Sequence, residues 1–246
     1  MCHKRVRGFS ALLGFVLLLL GSSVSGADEV SSFHDAIERV NQPYKSALFY
    51  LRTGNAGVAG LELDTARSAW KSAVENYGKT PPKPLAKDAH WAKTVQDVSE
   101  ALEAGVKLAA EGQSKPARAA LLPIRKHLHQ MRQRNGLRVM ADCVYDLNAF
   151  MDVLFHWRRN PADFNDPGVQ TKAKAASHSY INQLKLCRAE APEELEANPD
   201  FRSVMDGAAK SAASLLKPIE AKQPDSFINV LRELKSFDVI IFVRWG

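Results

Sequence analysis

Two cysteines follow residue 27, Cys143 and Cys187, and each falls on the apolar stripe of an expected helix. A thiol pair can form a structural disulfide, or it can form a redox or metal site built on activated thiolates. The second chemistry favours a C-x-x-C spacing, which the chain lacks. Counting along the helices favours the first. Cys143 lies 16 residues before Arg159, and Cys187 lies 20 residues after Pro167. With the two helices antiparallel about the intervening loop, both sulfurs then sit about 24 to 30 Å from the same end, at about 1.5 Å per residue. A Cys143–Cys187 disulfide is expected, and closing its loop of about 45 residues contributes about 4 kcal/mol in the chain-entropy account.

Softer ligands gather nearby: His127, His129 and Met131, followed by Met140 and Met151. His127 and His129 are two apart, about 200° around a helix, and cannot hold one ion together. His127 and Met131 are four apart and share a side, which makes them the candidate ligands for copper or haem. Met131, Met140 and Met151 also lie on apolar stripes, where methionine is ordinary packing. Asn148, Asp152 and His156 form a polar row at i, i+4 and i+8 that could hold a divalent ion or orient a water. His34, His90 and His178 stand alone in the sequence. The chain contains no H-E-x-x-H, no G-x-S-x-G, no phosphate-cradling glycine loop and no C-x-x-C-H, so no catalytic residue is assigned.

The elements that position these groups are all helical. Apolar residues recur at three and four through the chain after residue 27, with no convincing strand alternation. The stripes run from Val30 to Leu51 (with Pro43 inside, so a kink or break is expected there), Ala59 to Tyr77, Trp91 to Ala109, and Ala117 to Met131. Four more follow, Leu137 to Leu154, Ala173 to Cys187, Phe201 to Leu215, and Phe227 to Ile241. Ser114 is the expected N-cap of the fourth, with Pro116 in its first turn, and Asn135-Gly136 closes it. Asp166-Pro167 reads as an N-cap followed by proline at the first helical position. Three junctions, at Leu51–Asn55, Ala109–Gln113 and Glu220–Gln223, look alike and read as the turns of αα-hairpins. Their spacing of 58 and then 110 residues excludes a solenoid. The expected fold is an all-α, elongated bundle of about seven or eight helices in one domain, residues 28–246. Phe237, Ile240, Ile241, Phe242, Val243 and Trp245 make the last helix apolar nearly all round, so it is expected to be central to the bundle, with cover by a partner the alternative.

Residues 1–27 read as a secretory signal. Lys4, Arg5 and Arg7 precede an apolar run from Phe9 to Leu20, and Val24-Ser25-Gly26-Ala27 supplies small residues for cleavage near Ala27. That run is shorter than the about 20 apolar residues of a membrane span, so cleavage is expected, with retention as an anchor the alternative. The signal holds three of the 33 basic residues and none of the 27 acidic ones, leaving the mature chain at +3. So small a charge, with no basic stripe interleaved with aromatics, argues against nucleic acid as a partner.

The segments Phe49-Tyr50-Leu51-Arg52-Thr53-Gly54-Asn55, Ala141-Asp142-Cys143 and Leu231–Gly246 resemble a poorly characterised family of exported bacterial helical domains, some of them associated with c-type cytochrome modules. The overall shape also resembles the cytochrome b562 and c′ bundles, in fold only. The family resemblance implies a periplasmic location and a link to electron transfer, although this chain carries no haem-attachment motif. The expectation is a periplasmic or secreted, non-enzymatic binding or accessory protein serving a redox or metal system, with a periplasmic redox protein as partner. The alternative is a bundle that binds haem or copper directly through His127 and Met131.

Overall fold

A computed structural model describes residues 26–246. Residues 1–25, with the basic and apolar parts of the expected export signal, lie outside the described residues. In chain order the helices are α1 (Gly26–Arg52), α2 (Ala56–Tyr77), α3 (Trp91–Ala110), α4 (Ser114–Leu121), α5 (Pro123–Arg134), α6 (Met140–Phe155), α7 (Pro167–Ala189), α8 (Glu193–Ala197), α9 (Pro199–Ala213), α10 (Leu216–Glu220) and α11 (Pro224–Trp245). Among the described residues there is no strand, and no helix is long and apolar enough to cross a membrane.

Contacts close two rings within this bundle. In the first, α1 packs on α2, α2 on α3, α3 on α4 and α5, and α4 back on α1; in the second, α6 packs on α7, α7 on α9, α9 on α11, and α11 back on α6. Each ring buries a core of its own. One contains Phe33, Tyr44, Leu63, Val98, Leu121 and Met131, the other Val144, Met151, Tyr180, Phe201, Phe227 and Leu234. Phe242 of α11 packs against both cores, and α1 touches α11 where the rings meet. The last helix is not internal all round, as its composition leads one to expect: Phe227, Ile228, Leu231, Leu234, Asp238 and Ile241 are buried along one face, while Asn229, Arg232, Glu233, Ser236, Ile240 and Arg244 are exposed.

The three look-alike junctions share one turn. Gly54, Gly112 and Lys222 take positive φ, and the residue after each donates its N–H five residues back: Asn55 to Tyr50 (2.9 Å), Gln113 to Leu108 (2.9 Å) and Gln223 to Pro218 (2.8 Å). Gly136 and Leu137 end α5 in the same way. This is the Schellman closure, which satisfies carbonyls that a helix end leaves free. Glycine makes the left-handed residue free of strain at three of the four sites. Lys222 carries a Cβ there (φ 56°), which costs about 1–2 kcal/mol. Lys222→Gly is therefore expected to raise stability by up to about 1 kcal/mol after glycine's entropic cost. A urea midpoint that falls, or that rises equally in Lys222→Ala, would show that the turn is not strained.

Of the kink or break expected at Pro43 the break is absent, and a break that was not expected falls in the fourth stripe. α1 runs unbroken through Pro43, whose ring is buried where α1 is enclosed by its neighbours. The fourth stripe does break, at Leu122–Pro123, where proline has no N–H to carry the α4 ladder onward. Ser114 is the first residue of α4 and Gln113 occupies the cap, because the left-handed Gly112 sets the helix entry one residue earlier. At α7 the expectation holds: Asp166 Oδ1 accepts from Gly168 N (2.7 Å) and Val169 N (3.4 Å), with Pro167 at the first position. Cys143 and Cys187 form the disulfide, their Cα atoms 5.3 Å apart, joining the start of α6 to the end of α7. Such a bond fits an oxidising compartment.

Candidate functional site

Where the two rings meet, α1, α4, α5, α6 and α11 enclose a cleft of about 320 Å³. The residues lining it are charged and apolar side chains together. Arg52 of α1, Arg118 of α4, Arg125 of α5 and Lys235 of α11 face it, against the carboxylates of Asp152 and Asp238. Phe49 and Leu122, both exposed large hydrophobics, lie at its margin, with Val239, Phe242 and Val243 of α11.

A relay of polar side chains crosses the ring boundary here. Arg125 Nη1 donates to Asn148 Oδ1 (2.9 Å), Asn148 Nδ2 donates to Asp238 Oδ1 (2.8 Å), and Lys235 Nζ donates to Asp238 Oδ2 (2.8 Å) and approaches Asp152 (3.5 Å). The Arg125 guanidinium also lies over the Phe242 ring, 4.4 Å from its centroid, and 5.4 Å from that of Tyr145. Burial raises the Asp238 carboxyl above the ordinary carboxylate range, opposed by Lys235 and Asn148. Burial also pulls Arg125 down, while Tyr44, Asp238 and Tyr145 hold it up.

Three cationic nitrogens of this region are buried without a hydrogen-bond partner among the described residues: Lys45 Nζ, Arg118 Nε and Arg125 Nη2. Lys45 is 2% exposed. Its pKa is lowered first by burial and also by the charge of Arg125, with Glu38 opposing. Below it in α1, Tyr44 Oη donates to the Leu121 carbonyl (3.0 Å) and so is satisfied. A buried, unpaired cation is costly, and an apolar group of similar size removes that cost. Lys45→Met is accordingly expected to raise stability by about 1–3 kcal/mol. An unchanged or lowered urea midpoint would mean that the ammonium is satisfied in the folded protein.

The expected ligand pair is not gathered in the same way. Met131 is 1% exposed inside the first core, while His127 sits at the surface with Nδ1 3.6 Å from Asp97 Oδ2. His129 belongs to a different contact, Nδ1 lying 3.1 Å from Asp142 Oδ1 and its ring stacked on Tyr145. Among the described residues no three His, Cys, Asp or Glu side chains are placed to hold one metal ion. Of the polar row, Asn148 and Asp152 join the cleft, whereas His156 is exposed at the far end of α6 beside Asn160. A larger trough of about 1050 Å³ lies between α2 and α3, yet its polar floor is satisfied. There Trp70 Nε1 donates to Ser99 Oγ (2.8 Å), which donates to the Val95 carbonyl (2.7 Å).

Sequence reasoning passed over Lys45, Arg118, Arg125, Lys235 and Asp238. A signal was present for two of them. Lys45 interrupts the apolar centre of α1, and Asp238 is an acid inside the most apolar stretch of the chain. A charge in such a setting is either paired or put to use. No family model matches the chain, and neither a curated protein nor a solved structure matches it.

Proposed function

We propose that this chain is an exported, non-enzymatic binding protein that holds a small molecule in the cleft between its two helical rings. The observation that carries the reading is the set of buried cationic nitrogens without partners, Lys45 Nζ, Arg118 Nε and Arg125 Nη2, beside or within a cleft walled by both rings. A folded protein tolerates unpaired buried polar groups where a ligand completes them, at a cost in its own stability. The cleft lies within the about 300–1,000 Å³ span of small-molecule sites and combines an apolar margin with a few convergent polar groups. Export is supported by the disulfide and by the basic and apolar pattern of residues 1–27.

Service to a periplasmic redox or metal system belongs to the same proposal and rests on the resemblance of Phe49–Asn55, Ala141–Cys143 and Leu231–Gly246 to exported helical domains. The test is native mass spectrometry of the full chain recovered from the periplasm. A small molecule retained by the wild type and lost from Lys45→Met is the expected result. Bare protein, together with no stabilisation of it by the small-molecule fraction of a periplasmic extract, would sink the reading.

A further inference from the structure

We infer that the ligand of the inter-ring cleft is an amphipathic monocarboxylate, an apolar body ending in one carboxyl group; this rests on the cleft being the binding site. Four basic side chains face the cleft against two carboxylates, an excess of two positive charges, so an anion is favoured over a cation. The free donors have the right form. Arg118 Nε and Arg125 Nη2 are buried guanidinium nitrogens with no partner among the described residues. Guanidinium groups present parallel N–H donors that match the two oxygens of a carboxylate. Arg125 is already fixed for that task, since Nη1 is held by Asn148 and its plane lies over Phe242. Little side-chain entropy is left to lose when the anion arrives.

The acids of the cleft limit how much negative charge it takes. Asp238 sits one bond beyond Asn148 in the relay, and Asp152 lies on the same wall. A dianion such as a phosphate monoester would face both of them, whereas a single carboxylate can be held at the arginine side. The rest of the ligand meets carbon. Phe49 and Leu122 stand exposed at the margin, and Phe242 and Val243 continue the apolar wall along α11. Exposed large apolar side chains beside the half-buried Arg118 and Arg125 suit a molecule with a charged head and an apolar body.

Isothermal titration of the mature full chain distinguishes the possibilities with four probes: octanoate, octyltrimethylammonium, octanol and inorganic phosphate. Octanoate is expected to bind at least tenfold more tightly than each of the others. Arg118→Gln, which removes the guanidinium but keeps an uncharged polar side chain at a half-exposed position, is expected to weaken octanoate at least tenfold while leaving the circular dichroism and the urea midpoint close to those of the wild type. Leu122→Asp is expected to weaken it similarly through the apolar margin. Equal or tighter binding of the cationic or neutral probe, tighter binding of phosphate, or octanoate affinity unmoved by Arg118→Gln would overturn the carboxylate inference. In that event, a small molecule still retained from the periplasm in native mass spectra would leave the binding role standing. Absence of both would remove the two together.

Discussion

Asp142→Ala lowers the unfolding free energy by about 3–5 kcal/mol, one of the two largest single effects expected of this chain. Asp142 is 2% exposed and Arg132, its partner, 4%. Arg132 donates Nε to Oδ1 and Oδ2 (3.0 and 2.8 Å) and Nη2 to Oδ1 (2.8 Å). The same carboxylate accepts the N–H of Val139 (3.0 Å), capping α6, and meets His129 Nδ1 (3.1 Å). Alanine leaves a guanidinium buried with no counter-charge, and that desolvated charge supplies most of the loss. Removing both partners is the milder change. Arg132→Met with Asp142→Leu is expected to recover most of the deficit, short by about 1 kcal/mol for the lost cap of α6. A double-mutant cycle in urea measures this. A deficit under 1 kcal/mol for Asp142→Ala would show that the pair does not hold α5 to α6.

The fold was legible because it rests on periodicity. The stripe from Phe33 to Leu51 is buried residue by residue as a period of 3.6 requires, and so is the stripe from Cys143 to Leu154. The turns were legible for a local reason too: Gly54, Gly112 and Gly136 stand where a left-handed residue closes a helix. The closing of the helices into two rings was not legible. It depends on which stripe faces which, and amphipathic stripes of Leu, Ala and Val are interchangeable partners at the level of pattern. The cleft was hidden for the same reason. Its polar residues lie at positions 52, 118, 125, 148, 152, 235 and 238, on five helices, and no spacing rule joins them. Asn148 and Asp152 were found through their i, i+4 row, but read as possible metal ligands, because the cations that approach them from α5 and α11 are distant in sequence. His127 and Met131 show another limit of spacing. Four-residue spacing puts two side chains on one side of a helix, but it does not say whether that side is core, surface or the edge between. Met131 turned into the core and His127 out toward Asp97.

Removing the disulfide with Cys143→Ala and Cys187→Ala is expected to cost about 4 kcal/mol, because the bridge closes a segment with a sequence separation of 44 and thereby restrains the unfolded chain. Both sulfurs are fully buried in the second core, with the Gln183 amide 3.3 Å from Cys143 Sγ, so alanine adds a small packing loss. The placement explains why this bond matters beyond chain entropy. Successive residues in the first turn of α6 point about 100° apart around the helix. Asp142 there ties α6 back to α5 through Arg132, Cys143 ties it to α7, and Val144 is buried in the second core. One turn of helix therefore anchors the second ring to the first and closes the second ring upon itself. Two consequences separate this account from a merely decorative bridge. Urea unfolding under a phosphine reductant should match the double-alanine variant within about 1 kcal/mol, since both erase the same restraint. The native protein should also lose its disulfide to reductant no faster than the α6–α7 pair opens in hydrogen exchange, because buried sulfur is reached only through that opening. Reduction at the speed of an exposed disulfide, or a double variant as stable as the wild type, would mean that packing alone holds the start of α6.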